Sequence, residues 1–278
     1  MSSGAASAIG ELRKLPAFAR RDFLVAVSYR TAFLSELAGV LGQVVIFYFV
    51  GRLVDSSKLP RYGDTHVTYL QFAAIGIGIA LFFGFGLQHV ARTVRTEQLM
   101  GTFDSLIMTP ATWLTIQVGS VAFEFLFLLV RLAVFVAAIA IAFGLDFRLS
   151  GVLPAAVLVA AFFPFVWGLG IVSAGLVVTF RRGAGLVGIG SVGLALVSGL
   201  YFPTDLLPRW LADTARWNPV ARVTNGVRDA LVTGSDWKTV AHALVVIVPA
   251  SLISLAVGAL CFRLAVARER QRGTLGVY

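Results

Sequence analysis

From Val67 to Ala91 the chain passes without a single Asp, Glu, Lys or Arg, and the same is true from Val152 to Phe180. A helix rises about 1.5 Å per residue, so about 20 apolar residues cross the ~30 Å hydrocarbon core of a bilayer. Two such runs leave little choice of solvent. Only 13% of the 278 residues are charged and 58% are hydrophobic, where a soluble domain carries roughly 25% charge. An aqueous fold of this size could not cover so much apolar surface, and the chain reads as an all-α membrane protein.

Six stretches are long and apolar enough to count as spans: Ala32 to Val50, Val67 to Ala91, Trp113 to Phe143, Val152 to Phe180, Ala184 to Tyr201 and His242 to Phe262. Pro154 and Pro164 predict a tilt or kink in the fourth. The residues before Asp22 hold no apolar core of a cleaved leader and end in a basic cluster, so targeting is assigned to the first span. An even number of spans puts both ends on one side. With the N-terminus cytoplasmic, that face collects thirteen Lys and Arg and the outer face nine, five of them in one long loop that votes weakly in the positive-inside rule. The net charge of +9 therefore reads as anchoring at lipid head groups, with no nucleic acid implied.

Enzyme chemistry finds no support. The chain has no HExxH and no G-x-S-x-G, and His66, His89 and His242 are scattered near span ends. Cys261 is the single cysteine, which excludes an intramolecular disulfide and a thiolate metal cluster. Lys14, Lys58 and Lys238 are the only lysines and none follows a glycine, so no phosphate-cradling P-loop is present. No catalytic, cofactor-binding or metal-binding residue is expected.

Polar segments carry the remaining information. EQLMGTFDSLIMTP, residues 97 to 110, joins the second and third spans; Leu99, Met100, Phe103, Leu106 and Ile107 recur at helical spacing against Glu97, Thr102, Asp104 and Ser105, and Pro110 ends the pattern. It predicts a short amphipathic helix whose acidic side suits a protein partner better than an anionic leaflet; a structural loop is the alternative. Upstream, Leu12, Leu15, Phe18, Ala19 and Phe23 oppose Arg13, Lys14, Arg20 and Arg21, as in an interfacial helix. Before the last span, Leu206, Leu207, Trp210 and Leu211 share one face of a possible first helix. A second is better punctuated: Asn218 caps it, Pro219 takes its first position, Val220, Val223, Val227 and Leu231 line one side, Arg222, Asn225 and Asp229 lie opposite, and Gly234 stops it. Glu36 in the first span and Glu124 and Arg131 in the third cost a few kcal/mol each at lipid, so each faces protein or a wet cavity, as a structural tie or a substrate contact. Ser191, Ala195 and Gly199 form a small-residue ridge in the fifth.

RTVRTEQLMGTFDSLIMTP (92 to 110), SGLYFPTDLLPRWL with WNPVARVTNGVRDAL (198 to 231) and the final RGTLGVY resemble, in the same order, segments of ATP-binding-cassette transporter permeases of the type-2 class. The resemblance implies a permease subunit of a bacterial exporter in the inner cell membrane, with both termini cytoplasmic. It also implies a homodimer resting on separate ATPase subunits that hold ATP and Mg, and a path for a lipid-linked, glycan or amphipathic substrate. One transmembrane domain, 1–278, is expected: an N-terminal interfacial helix (1–30), spans one to five (31–201), an outer re-entrant hairpin (202–241), span six (242–263) and a cytoplasmic tail (264–278). Glu97, Gly101, Thr102, Phe103, Asp104 and Leu106 would couple to the ATPase. Arg181 and Arg182 offer a second contact or serve as plain anchors. Phe202, Pro203, Trp210, Asn218 and Pro219 would form a gate or a packed lid. A secondary transporter driven by an ion gradient is the competing reading, disfavoured by the lack of an internal repeat.

Overall fold

The computed structural model describes residues 38–39, 42, 45–53, 67–100, 128–129, 132–180, 183–215, 217–234 and 237–272. Helix is the regular structure of the described residues, without a strand among them. After the helical residues 45–51 come α1 (Tyr69–Met100), α2 (Leu132–Phe143), α3 (Val152–Thr179), α4 (Gly183–Val197), α5 (Arg209–Ala215), α6 (Pro219–Thr233) and α7 (Trp237–Arg272). Single 3-10 turns at Leu149–Gly151 and Thr204–Leu206 lead into α3 and towards α5. Three helices are long and apolar enough to cross a membrane, within Tyr69–Thr96, Leu149–Thr179 and Trp237–Glu269, and two shorter apolar helices cover Leu132–Phe143 and Val187–Val197.

Lipid offers apolar side chains nearly what another helix offers, so helices associate in it through close backbone approach and inter-helix hydrogen bonds. Glycines mark the closest approaches. A Cβ at Gly168 of α3 would fall 2.4 Å from the backbone of Ser254, and one at Gly258 of α7 would fall 2.5 Å from the Gly168 carbonyl oxygen. Beside this contact Ser254 Oγ donates to the Phe165 carbonyl at 2.8 Å and Ser251 Oγ to the Ala161 carbonyl at 3.0 Å. Pro164 lacks the amide that would serve the Ala160 carbonyl, yet α3 runs through it unbroken. Inter-helix bonds of this kind average about 0.6 kcal/mol, so interlocked backbones, more than the serines, hold α3 to α7. The same logic joins α1 to α3, where a Cβ at Gly170 would lie 2.7 Å from the Gly86 carbonyl.

Between these crossings lies an aromatic core in which Phe82 meets the tilted ring of Phe162 at 6.2 Å and the ring of Phe163 edge-on at 6.4 Å between centroids. Towards the Met100 end of α1, Val90 and Val94 pack with Ile171 and Ala174 of α3 and Phe262 of α7. On the outside of α7, Val245, Leu252, Ile253, Leu260 and Leu264 are exposed. An uncovered aliphatic face of that extent suits lipid contact.

Several helix ends differ from the sequence expectation for one physical reason. Hydropathy marks where lipid contact ends, whereas a helix ends only where its backbone is stopped. α7 begins at Trp237 and runs to Arg272, beyond both predicted limits at 242 and 263. α1 continues through Arg92 and Arg95, and Glu97 lies on it and does not open a separate helix. α4 ends at Val197, and Gly199, with φ +67°, leaves the small-residue ridge to make a turn.

Candidate functional site

The segment between α4 and α7 folds as its punctuation dictates. Asn218, in an extended conformation, accepts from the Val220 amide at 3.0 Å, Pro219 occupies the first turn, and Gly234 closes α6 in the left-handed region at φ +82°. Val220, Val223, Val227 and Leu231 are buried together in the main core. The preceding helix is shorter than the apolar pattern suggests: α5 has only seven residues, and Leu206 sits in the 3-10 turn before it.

What fixes α6 to the bundle is Arg228, which is 1% exposed. Its Nε and Nη2 donate to the Phe72 carbonyl of α1 at 3.2 and 3.0 Å. Nη2 also donates to the Leu200 carbonyl at 2.8 Å, and Nη1 to the Gly199 carbonyl at 2.9 Å and Asn225 Oδ1 at 3.3 Å. The guanidinium carbon stands 3.5 Å from the centroid of the Phe72 ring, a contact worth ~2 kcal/mol when desolvated. A planar fork of five donors is what lets one side chain serve three carbonyls on two segments.

Glycine makes room for it. A Cβ at Gly76 would fall 1.7 Å from the Leu200 carbonyl oxygen and 2.8 Å from Arg228 Nη2. The turn at Gly199 brings its own carbonyl and that of Leu200 to the fork. Next to it, Asn218 Nδ2 donates to Ser198 Oγ at 2.8 Å, and Ser198 Oγ donates to the Leu194 carbonyl. Tyr69 donates to the Tyr201 carbonyl at 3.2 Å, and the Tyr201 ring stacks on Phe47, centroids 5.7 Å apart.

A second fastening lies at the far end of α6. The Arg148 amide donates to the Leu231 carbonyl at 2.8 Å and its Nη1 to the Thr233 carbonyl at 2.9 Å. Gly151 admits the Ala230 carbonyl, which a Cβ there would meet at 1.7 Å. On the polar side of α6 a cavity of about 390 Å³ is lined by Asp205, Arg222, Asn225, Asp229, Thr239 and His242 among others. The floor of this cavity includes Ala243 of α7, buried beneath Gly226.

Of the predicted gate residues, Asn218 and Pro219 shape the buried start of α6, Pro203 is buried as the cap of the 3-10 turn, and Phe202 is half-buried. Trp210 is 69% exposed, as are Trp217 (78%) and Trp237 (53%), so Trp210 packs no interior. Of the predicted coupling residues, Glu97 lies on α1; Gly101, Thr102, Phe103, Asp104, Leu106, Arg181 and Arg182 lie outside the described residues, as do Glu36, Glu124, Arg131 and the N-terminal interfacial segment. Arg228 was not singled out by sequence reasoning. A signal existed in its place at the margin of the apolar stripe, one turn after Thr224 and one residue after Val227.

Comparison with known proteins adds one match. The family model described as ABC-2 type transporter matches residues 14–232, well over half of the chain. No curated protein matches it.

Proposed function

Since the chain belongs to the ABC-2 type transporter family and is thereby a permease of an ABC transporter, we propose that it is one half of a homodimeric exporter worked by separate ATPase subunits. The observation that carries this reading is the continuity of α1. Over one unbroken helix, Glu97 at the head of the coupling segment is joined to Phe72, whose carbonyl holds Arg228. Twenty-five residues of helix make a strut about 38 Å long. Force applied by an ATPase on the cytoplasmic segment 97–110 reaches the outer hairpin through it, with Phe103 and Leu106 as apolar anchors and Glu97 and Asp104 facing basic groups. Arg181 and Arg182 supply a second contact. ATP and Mg are held by that partner, not by this chain.

The exposed Trp210, Trp217 and Trp237 support a hairpin lying at the outer membrane interface, where tryptophan gathers. A homodimer seam along the first and fifth predicted spans is supported by Gly39, Gly42, Gly188, Gly190 and Gly193, around whose Cβ positions no described atom lies within 4 Å. The cargo is a lipid-linked, glycan or amphipathic molecule, and Glu36, Glu124 and Arg131 act as polar ties inside the bundle.

Co-purification tests this reading. The co-expressed ATP-binding-cassette subunit is expected to elute with the wild-type permease, and Glu97→Arg combined with Phe103→Ala to reduce its recovery about thirtyfold, the worth of a 2 kcal/mol interface hot spot. Arg222→Ala, on the opposite end, should leave recovery unchanged. Undiminished recovery with the double variant, in a protein that still elutes as a single species, would refute it.

A further inference from the structure

Where α2, the start of α3 and α6 meet, a groove of about 620 Å³ opens, lined almost wholly by aliphatic side chains. We propose that it holds an acyl chain of an anionic phospholipid, with Arg148 placed at the phosphate. The inference goes beyond the permease reading and needs only that α1, α2 and α3 lie in a bilayer.

Small side chains carve the groove. Ala133, Ala137 and Ala140 recur along one side of α2 and face Ala155 and Ala156 of α3, so two helix surfaces that larger residues would close are left apart. Its volume is that of a ligand site. From Leu132 to Ile141 the lining follows α2 for about 14 Å, close to the ~15 Å depth of one hydrocarbon leaflet. The surrounding Ile141, Leu149, Val152 and Leu153 are exposed, which makes the mouth continuous with a lipid-facing surface. An aliphatic chain is the one occupant that such walls and such a length select.

Charge identifies the head group. Arg148 belongs to the lining and is exposed, standing between the end of α2 and the turn that begins α3, at the level where apolar sequence gives way. One of its donors is held by the Thr233 carbonyl at 2.9 Å, which orients the guanidinium and leaves donors for phosphate oxygens. A zwitterionic lipid would bring its own cation to the same place, so an anionic one is preferred.

The full chain, with its ATPase subunit, reconstituted in vesicles containing phosphatidylglycerol or phosphatidylcholine with a diazirine at mid-chain, provides the test. After photolysis, peptides from 132–159 are expected to carry about fivefold more phosphatidylglycerol than phosphatidylcholine label, the preference one basic residue supplies at an anionic surface. Arg148→Gln should abolish the preference and Arg148→Lys retain most of it. Ala156→Phe and, separately, Ala137→Phe, both at exposed positions, should lower the labelling with both lipids to that of the outer face of α7. Labelling no higher than on α7 in the wild type, a preference that survives Arg148→Gln, or labelling untouched by both phenylalanines would overturn the proposal. A groove shielded from both lipids by a second copy of the chain would overturn it as well. Each outcome is read independently of whether the ATPase subunit binds.

Discussion

Arg228→Met is expected to lower the apparent Tm of the detergent-solubilised protein by about 10 °C or more, a loss of about 3–5 kcal/mol. A methionine of similar length fills the space, but the carbonyls of Gly199 and Leu200 stay buried and lose the guanidinium that serves them, and that of Phe72 is left with its helical bond alone. Each unserved carbonyl costs about 1–3 kcal/mol, and the contact with the Phe72 ring goes as well. That sum exceeds the gain from no longer desolvating a cation, because only one side of the interaction has been replaced. Arg228→Lys should fall between, since an ammonium on a flexible stem cannot present a planar fork. Arg148→Gln, exposed and bonded through one nitrogen to one carbonyl, should shift Tm little. A thermal melt of the three variants checks the order; an Arg228→Met protein as stable as wild type would remove the clamp from the account.

The second large effect is expected from Gly84→Pro. Gly84 lies in α1 between Phe72 and Glu97, and no described atom stands within 4 Å of its Cβ position, so the ring has room. Proline removes the amide bond to the Ala80 carbonyl and clashes with that carbonyl, at a cost of about 3 kcal/mol in a helix interior. The strut bends while both its ends keep their partners. The ATPase subunit is therefore expected to co-purify as with wild type, while nucleotide no longer moves the outer hairpin. Gly84→Ala should behave as wild type in both respects. Loss of ATPase binding in Gly84→Pro would mean that α1 shapes the docking surface and does not transmit force from it.

How much of this was legible beforehand depends on whether the signal was local. Asn218, Pro219 and Gly234 act within one helix through capping rules, and the structure uses all three as their types predict. The family itself was legible in polar segments, two of which, 92–110 and 198–231, lie within the matched residues 14–232. Arg228 was not, because all its acceptors but Asn225 Oδ1 are main-chain carbonyls 156 and about 28 residues away, groups that every sequence contains everywhere. Nothing in the residue types near Phe72 or Gly199 announces that their oxygens are aimed at one point. Gly76 could have hinted at a close approach, yet its role depends on which backbone arrives, and that is tertiary. Helix ends failed differently. Trp237, Lys238 and Thr239 are polar enough to leave the bilayer and still helical, so a count of apolar residues placed the start of α7 too late.

Motion at the hairpin is expected to be driven from the other end of α1. In a Cys261→Ser background, which removes the one native thiol, Ala243→Cys places a reporter on α7 beneath Gly226, where it is buried. With the complex in vesicles, its rate of reaction with an external impermeant maleimide is measured with and without a non-hydrolysable ATP analogue. A change of about tenfold, an equilibrium shift of ~1.4 kcal/mol, is predicted for the straight helix and none for Gly84→Pro. A rate indifferent to nucleotide in the straight helix, or the same response with the helix bent, would contradict it.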